Sequence, residues 1–453
     1  MKYPPYPAYK PSGVQWIGDV PEHWDVKKLK YAASINDEAL SETTEPEYEF
    51  NYVDIGSVSF TEGITKHETM EFENAPSRAR RIVKKGDTIV STVRTYLRAI
   101  ASIGTFDDPL IVSTGFAVVR PQTCEAGYLS YALRERSFVE SVVARSTGVS
   151  YPAINASEIV DISILLPSPN EQKSIAAFLG RETGRIDSLV AKKKQLIERL
   201  KEKRSALISR TVTRCLPPDA AQEFGLQPHA QFKPSGIDWL GDIPEGWEVK
   251  KFSHEVSIVN GQVNPLNEPY ATMLLIGPEH VESKTGKLLR TETAIDQAAE
   301  SGKYLCPEGS IIYSKIRPAL QKLVIAPKKC LCSADMYPLN GSDLVDNSYL
   351  YWLLLSDRFL AWSVLESDRV AMPKINRDTF SKLRIPIPSL AEQTEIASYL
   401  DRETAKLDQL TAKVSEAIER LQEYRTALIT AAVTGKINVD SASSRIAHEK
   451  SAV

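Results

Sequence analysis

Two stretches of this chain each occur twice, and that repetition limits the fold more than any other feature. Lys10-Pro11-Ser12-Gly13-Val14-Gln15-Trp16-Ile17-Gly18-Asp19-Val20-Pro21-Glu22-His23-Trp24 returns, offset by 223 positions, as Lys233-Pro234-Ser235-Gly236-Ile237-Asp238-Trp239-Leu240-Gly241-Asp242-Ile243-Pro244-Glu245-Gly246-Trp247. A second pair closes each copy: Pro167-Ser168-Pro169-Asn170-Glu171-Gln172 faces Pro388-Ser389-Leu390-Ala391-Glu392-Gln393, and the match runs on to Ala206-Leu207-Ile208 and Ala427-Leu428-Ile429. So long a period is duplication of a whole domain with its connector, not a solenoid. Between the shared ends the copies diverge, which suggests one scaffold carrying two different readers.

The 453 residues suffice for two cores. Five cysteines in so long a chain do not make a disulfide framework, and no apolar run approaches the ~20 residues of a membrane span. The start of the chain, rich in Tyr and Pro, lacks the basic-then-apolar pattern of a signal peptide. A cytoplasmic protein is expected. The net charge of −3 argues against a coat of positive potential, yet the charge is locally uneven. Arg78, Arg80, Arg81, Lys84, Lys85, Arg94 and Arg98 stand against one acid, Asp87; Lys315, Arg317, Lys322, Lys328 and Lys329 stand against none. A solvated surface is the plain reading of such runs. Their placement favours another, because Gly86-Asp87-Thr88-Ile89-Val90-Ser91-Thr92-Val93-Arg94 and Gly309-Ser310-Ile311-Ile312-Tyr313-Ser314-Lys315-Ile316-Arg317 keep Gly, Ile, Ser and Arg at one spacing. Both copies place a strand and then a basic element at the same address.

Ser168-Pro169-Asn170-Glu171 and Ser389-Leu390-Ala391-Glu392 read as capping boxes, the first with proline at the opening helical position. Apolar residues then recur in heptads: Leu179, Ile186, Leu189, Leu196, Leu200 and Leu207, and again Leu400, Leu407, Leu410, Val414, Leu421 and Leu428. So narrow a seam needs a partner helix. The economical arrangement pairs the two helices antiparallel, as a ruler between the readers; the other is that each packs on its own domain. Pro217-Pro218 closes the first connector and Gly435 stops the second helix. The expected fold is α+β: two similar mixed α/β domains, at 1–168 and 233–388, and two long antiparallel helices, at 169–210 and 389–434. A linker spans 211–232 and a tail 435–453.

The twice-repeated Lys-Pro-Ser-Gly-x-x-Trp-x-Gly-x-x-Pro-x-x-Trp opening and the Pro-x-x-x-Glu-Gln-x-x-Ile entry to each helix resemble the specificity subunit of type I restriction–modification systems. The resemblance runs from about Lys10 to Thr434. It implies two target-recognition domains, each reading half of a bipartite duplex DNA sequence, with two helices fixing the gap. It also implies partners: two methylation subunits that bind S-adenosylmethionine, and restriction subunits that use ATP and Mg. The family's Gly- or Ser/Thr-rich stretch before the last strand of each domain has counterparts in Arg145-Ser146-Thr147-Gly148-Val149-Ser150-Tyr151-Pro152 and in Ser367-Asp368-Arg369-Val370-Ala371-Met372-Pro373-Lys374. Ala371 stands near where Gly148 would recur, so a shared loop conformation does not follow. Such a turn beside arginine suits phosphate contact, and a plain surface turn is the alternative. The DNA-binding candidates are Arg78, Arg80, Arg81, Arg94, Arg98, Arg145, Ser146, Thr147, Tyr151, Lys315, Arg317, Lys322, Arg369 and Lys374.

Catalytic signals are few. The sequence has no G-x-x-x-x-G-K-[ST] loop and no glycine-rich S-adenosylmethionine loop after a strand. Asn264-Pro265-Leu266-Asn267 lacks the second proline and the aromatic of the amino-methyltransferase motif and reads as a turn. Cys306, Cys330 and Cys332 read as buried thiols, the six histidines pair with nothing recognisable, and no metal site is expected. The matched tryptophans read as core anchors. The chain is expected to be a non-catalytic sequence reader without a cofactor of its own; the alternative is a self-contained DNA methyltransferase with duplicated recognition domains.

Overall fold

The computed structural model describes residues 3–14, 17–367 and 373–440. It forms two compact units, one from Met1–Lys193 with Glu416–Val453, the other from Lys194–Ser415. Each unit thus takes one end of each long helix, Pro169–Arg214 and Leu390–Val433.

In each unit the opening and closing copies of the repeat meet. Strand Asp25–Lys28 pairs antiparallel with Ser163–Leu166, and Glu248–Lys251 pairs in the same way with Arg384–Ile387. Trp24 and Trp247, just before these strands, are buried. Their indole N–H groups donate to Glu171 Oε1 at 3.3 Å and Glu392 Oε1 at 3.1 Å. The same glutamates close the capping boxes: Ser168 donates its backbone N–H and hydroxyl to Glu171 Oε2 at 3.1 and 2.8 Å, and Ser389 donates to Glu392 Oε2 at 3.0 and 2.7 Å. Burial alone pushes both carboxyls up; the hydrogen bonds outweigh it and hold both below the ordinary glutamate range. The next residue ties the helix start to its surroundings. Gln172 accepts from the Glu125 N–H and donates to the Pro167 carbonyl, and Gln393 does the same with Asp346 and Pro388. The Glu-Gln pair therefore joins the parts of the scaffold that are far apart in sequence. Trp239 is half-buried, and Trp16 lies outside the described residues.

Between these ends each copy builds short strands, the central ones buried. The first unit has a four-stranded sheet in the order Ile100–Ser102, Thr88–Ser91, Phe116–Pro121, Ala33–Ile35, and a second in the order Glu68–Glu71, Glu49–Val53, Leu110–Ser113, Ala79–Ile82. The second unit matches with Val256–Ile258, Met336–Gly341, Ile311–Ser314, Leu323–Ile325, and a three-stranded sheet of Leu275–Ile276, Cys330–Cys332, Tyr304–Cys306. Among the described residues one strand pair in each unit is parallel and the rest are antiparallel. The architecture is α+β with an internal duplication. All five cysteines are free, four of them buried. Asn264 makes the expected turn, its side chain accepting from the Leu266 N–H. No helix among the described residues is long and apolar enough to cross a membrane.

The long helices run antiparallel within each unit. In the second, Cys215 lies by Glu392 and Arg204 by Asp408; in the first, Arg425 meets Asp187 and Gly435 packs on Trp24 near Glu171. The chain turns at Gly435 with φ +70°, and a Cβ there would stand 2.3 Å from Pro21 Cδ, so glycine is required. The seam corrects the heptad assignment. Leu189, Leu196 and Leu410 are exposed. The covered track combines Leu179, Ile186, Leu200 and Leu207 with Thr183, Val190, Ile197 and Arg204, one residue beyond the expected positions. The second helix repeats it with Leu400, Leu407, Val414, Leu421 and Leu428 beside Thr404, Thr411, Ile418 and Arg425. The polar members are satisfied locally: Thr183 and Thr404 bond back to the carbonyls of Leu179 and Leu400, while Arg204 Nε and Arg425 Nε reach Asp408 and Asp187 at 3.0 and 2.9 Å. A seam with threonine and paired arginine is buried without leucine at those places.

Candidate nucleic-acid interface

The strand–basic-element address predicted for both copies is a hairpin connection with unusual backbone geometry. In the first unit it joins Thr88–Ser91 to Ile100–Ser102, and in the second Ile311–Ser314 to Leu323–Ile325. Each connection holds one 3-10 turn, Thr95–Leu97 or Pro318–Leu320, flanked on both sides by left-handed residues that are not glycine: Arg94 (φ +50°) and Arg98 (+52°), Arg317 (+48°) and Gln321 (+44°). Each such residue costs on the order of 1 kcal/mol or more, so the surroundings must enforce it. They do so in the same way twice. The Arg94 N–H donates to the Pro152 carbonyl at 2.8 Å and the Arg317 N–H to Pro373 at 2.7 Å. The hydroxyls of Ser91 and Ser314 bond the carbonyls of Val93 and Ile316. Ala153 bridges to Val93 and Lys374 to Ile316.

In the first unit this brings together Arg94, Ser146, Thr147 and Tyr151, with Arg98 at the far end of the 3-10 turn. The Arg94 guanidinium lies over the Tyr151 ring, 5.0 Å from its centre. The Thr95 hydroxyl donates to Ser146 Oγ at 2.7 Å, and Thr147 pairs with Ala153 across the turn at Gly148. Arg145 leans away toward the Glu158 carbonyl at 3.3 Å. Arg94, Arg98 and Tyr151 are exposed, as are Tyr96, Leu97 and Val149. The single acid of this basic stretch is withdrawn from it: Asp87 is buried and bound by Arg120 at 3.0 and 2.8 Å.

Arg78, Arg80 and Arg81 belong to a different place, the strand Ala79–Ile82 and its approach. Arg78 Nε donates to the Tyr52 hydroxyl, Arg80 covers the Phe72 ring at 4.7 Å, and Arg81 Nε is buried. In the second unit Arg317 is exposed, while Lys315 bonds the Ala334 carbonyl and lies 5.1 Å from the Tyr337 ring centre. Lys322 Nζ is turned to the Pro278 carbonyl at 2.7 Å. Lys374 is brought beside Ile316, and Arg369 lies outside the described residues. Gln321, where the first copy has Arg98, is buried against the Leu355 and Ser356 carbonyls. Tyr96, Leu97 and Val149 are not among the residues that charge and motif single out; they are exposed, and their places in the sequence beside Arg94 and the hydroxylated turn are what points to them. An exposed arginine amid hydroxyls and apolar side chains can bind phosphate, hydrogen-bond a guanine edge or touch a thymine methyl.

The model of the type I restriction modification DNA specificity domain matches residues 21–199 and again 244–420. The chain belongs to this family. Its two matches start at the shared opening and run well into the two long helices. The specificity chain is 30% identical over 325 residues to the EcoDI specificity subunit of Escherichia coli, covering 71% of this chain and 72% of that one. It is 24% identical over 449 residues to the MjaIX specificity subunit of Methanocaldococcus jannaschii, covering 94% and 96%. Its fold matches a chain solved in work on the assembly and conformational transition of the type I R-M system, with a TM-score of 0.69 at 22% identity over 92% of this chain and 99% of that one. As a specificity subunit it is a DNA-recognition component without catalysis or a cofactor of its own, and not a self-contained methyltransferase.

Proposed function

We propose that each unit reads one half of a bipartite duplex target through the turn that carries Arg94 or Arg317, and that the chain so places two methylation subunits, with their S-adenosylmethionine, on the DNA. Restriction subunits using ATP and Mg join the same complex, in the cytoplasm where the DNA lies. The observation that carries the reading is the twice-built turn: one strained backbone with different neighbours, Arg98 exposed in one copy and Gln321 buried in the other. A fixed frame with changed side chains reads two different half-sites. The other candidate residues fit at the edges of these turns, where phosphate contact needs charge without exact placement.

Arg94→Ala weakens or relaxes one half-site and Arg317→Ala the other. A lost bidentate guanine contact costs about 1–3 kcal/mol and relaxes one base position; a lost phosphate contact weakens all sequences evenly and lowers the salt slope by about one. Footprinting both variants on altered half-sites separates these outcomes, and unchanged binding by both would leave the turns as surface. The purified chain, having no cofactor loop, neither binds S-adenosylmethionine nor methylates plasmid DNA. Methyl transfer above a mock preparation would contradict this.

A further inference from the structure

The glutamate that caps the second long helix has a neighbour that its counterpart lacks. Glu171 accepts from Ser168, Trp24 and, at 2.8 Å, His23 Nε2. Glu392 accepts from Ser389, Trp247 and, at 2.6 Å, His229 Nε2, and Cys215 Sγ stands 3.9 Å from the same Oε1. The two histidines come from unrelated places: Gly246 occupies the position of His23 in the second copy, and Tyr6 that of His229 in the first. Cys215 has no thiol opposite it; at the offset of the closing repeat the residue is Lys436. One donor atom each from Cys215, His229 and Glu392 lie within 4.8 Å of one another.

We propose that Cys215, His229 and Glu392 form a binding site for a divalent transition-metal ion of the zinc class, with water as the fourth ligand. A sulfur, an imidazole nitrogen and a carboxylate oxygen suit zinc and its neighbours rather than calcium or magnesium, which prefer oxygen alone. Tetrahedral bonds of about 2.0–2.3 Å set such donors about 3.3–3.6 Å apart. Relative to Glu392 Oε1 the sulfur must close by a few tenths of an ångström and the imidazole withdraw by about 0.7 Å, while sulfur and imidazole nitrogen, which lie within 4.8 Å of each other, must come into the same range. Charge agrees: thiolate and carboxylate together balance a dication, and the hydrogen-bond partners of Glu392 include no lysine or arginine. Burial raises the free thiol to about 12, so uptake of the ion releases its proton to solvent and strengthens with pH. Ser389 orients the carboxylate through Oε2, and Trp247 donates to the ligating Oε1 itself. The ligands come from the end of the first long helix, the stretch before the second opening repeat and the first turn of the second helix. A bound ion fastens these three stretches together.

Titration of the metal-free full chain with cobalt(II) tests this. The expected result is one cobalt per chain, with an intense tetrahedral visible spectrum and a thiolate-to-cobalt charge-transfer band. Cys215→Gly removes the band. Because Cys215 sits at φ +65°, glycine suits the backbone there and the variant should fold. His229→Ala weakens cobalt binding at least tenfold, and Cys124→Ser changes nothing. Absence of the band in the parent chain, its persistence in Cys215→Gly, or unchanged affinity in His229→Ala would overturn the proposal. The last two would move the ion to other thiols or leave His229 a hydrogen-bonding group only.

Discussion

Trp24→Ala lowers the stability of the first unit by about 3–5 kcal/mol, the range for emptying a buried aromatic site, and it loosens a helix end far away in sequence. Trp24 is fully buried in a core with Phe178 and Leu179 of the first long helix and Leu428, Ala432 and Val433 of the second. Truncation leaves a cavity and takes one donor from Glu171. Each unit has a core of its own, so a single midpoint for the whole chain would blur the effect. Hydrogen exchange resolves it. Protection should fall in 169–190 and 418–433 while the second unit keeps its own; Trp247→Ala should instead expose 208–214 and 390–400. If 418–433 stays protected in Trp24→Ala, the C-terminal end of the second helix does not depend on the first unit's core.

Four residues added to each long helix, after Lys193 and after Val414, should return the same two half-sites with a longer gap between them. Each long helix starts in one unit and ends in the other, so its length is the proposed measure of the gap. Four residues add about 6 Å at ~1.5 Å each, somewhat under two base pairs at ~3.4 Å per step. They also turn the helix about 40° past a full turn at ~3.6 residues per turn, so affinity falls even at the new optimum. Selection from a random-spacer library reads both effects. Recovery of the original gap at full strength would show that the helices do not measure distance.

The scaffold was legible in the sequence because its parts are interior and specific. A tryptophan that must bury its ring and a glutamate that must cap a helix leave few substitutes, so both copies kept them. The seam was half legible. Leu179, Ile186, Leu200 and Leu207 mark one edge, but counting leucines then selects Leu189 and Leu196, which face solvent. The true second edge holds Thr183 and Arg204, whose burial depends on a backbone carbonyl and on an aspartate of the other helix. The basic turns were legible as an address and not as a shape. Nothing in the residues of Arg94 or Arg317 announces a left-handed backbone, which is imposed by Pro152 and Pro373 far along the chain. The same distance hid Arg80 and Arg81, grouped by charge with Arg94 but committed to another sheet edge, and Cys215, His229 and Glu392, which only folding assembles.

The pairing of Lys28 with Ser163, and of Lys251 with Arg384, means that everything between them leaves and re-enters the scaffold through adjacent strands, roughly 5 Å apart. Each reader is therefore a cassette with a narrow doorway. Exchange of 29–162 or 252–383 for a segment from another such chain asks that its two ends meet side by side and that it keep the groups docked on the helices: the N–H of Glu125 or Asp346 on Gln172 or Gln393, and the ring of Tyr128 or Tyr349 in the helix core. Genetic crossover within the short shared stretches on either side would deliver such a segment whole. Exchange of one such cassette should change one half-site and leave the other as it was.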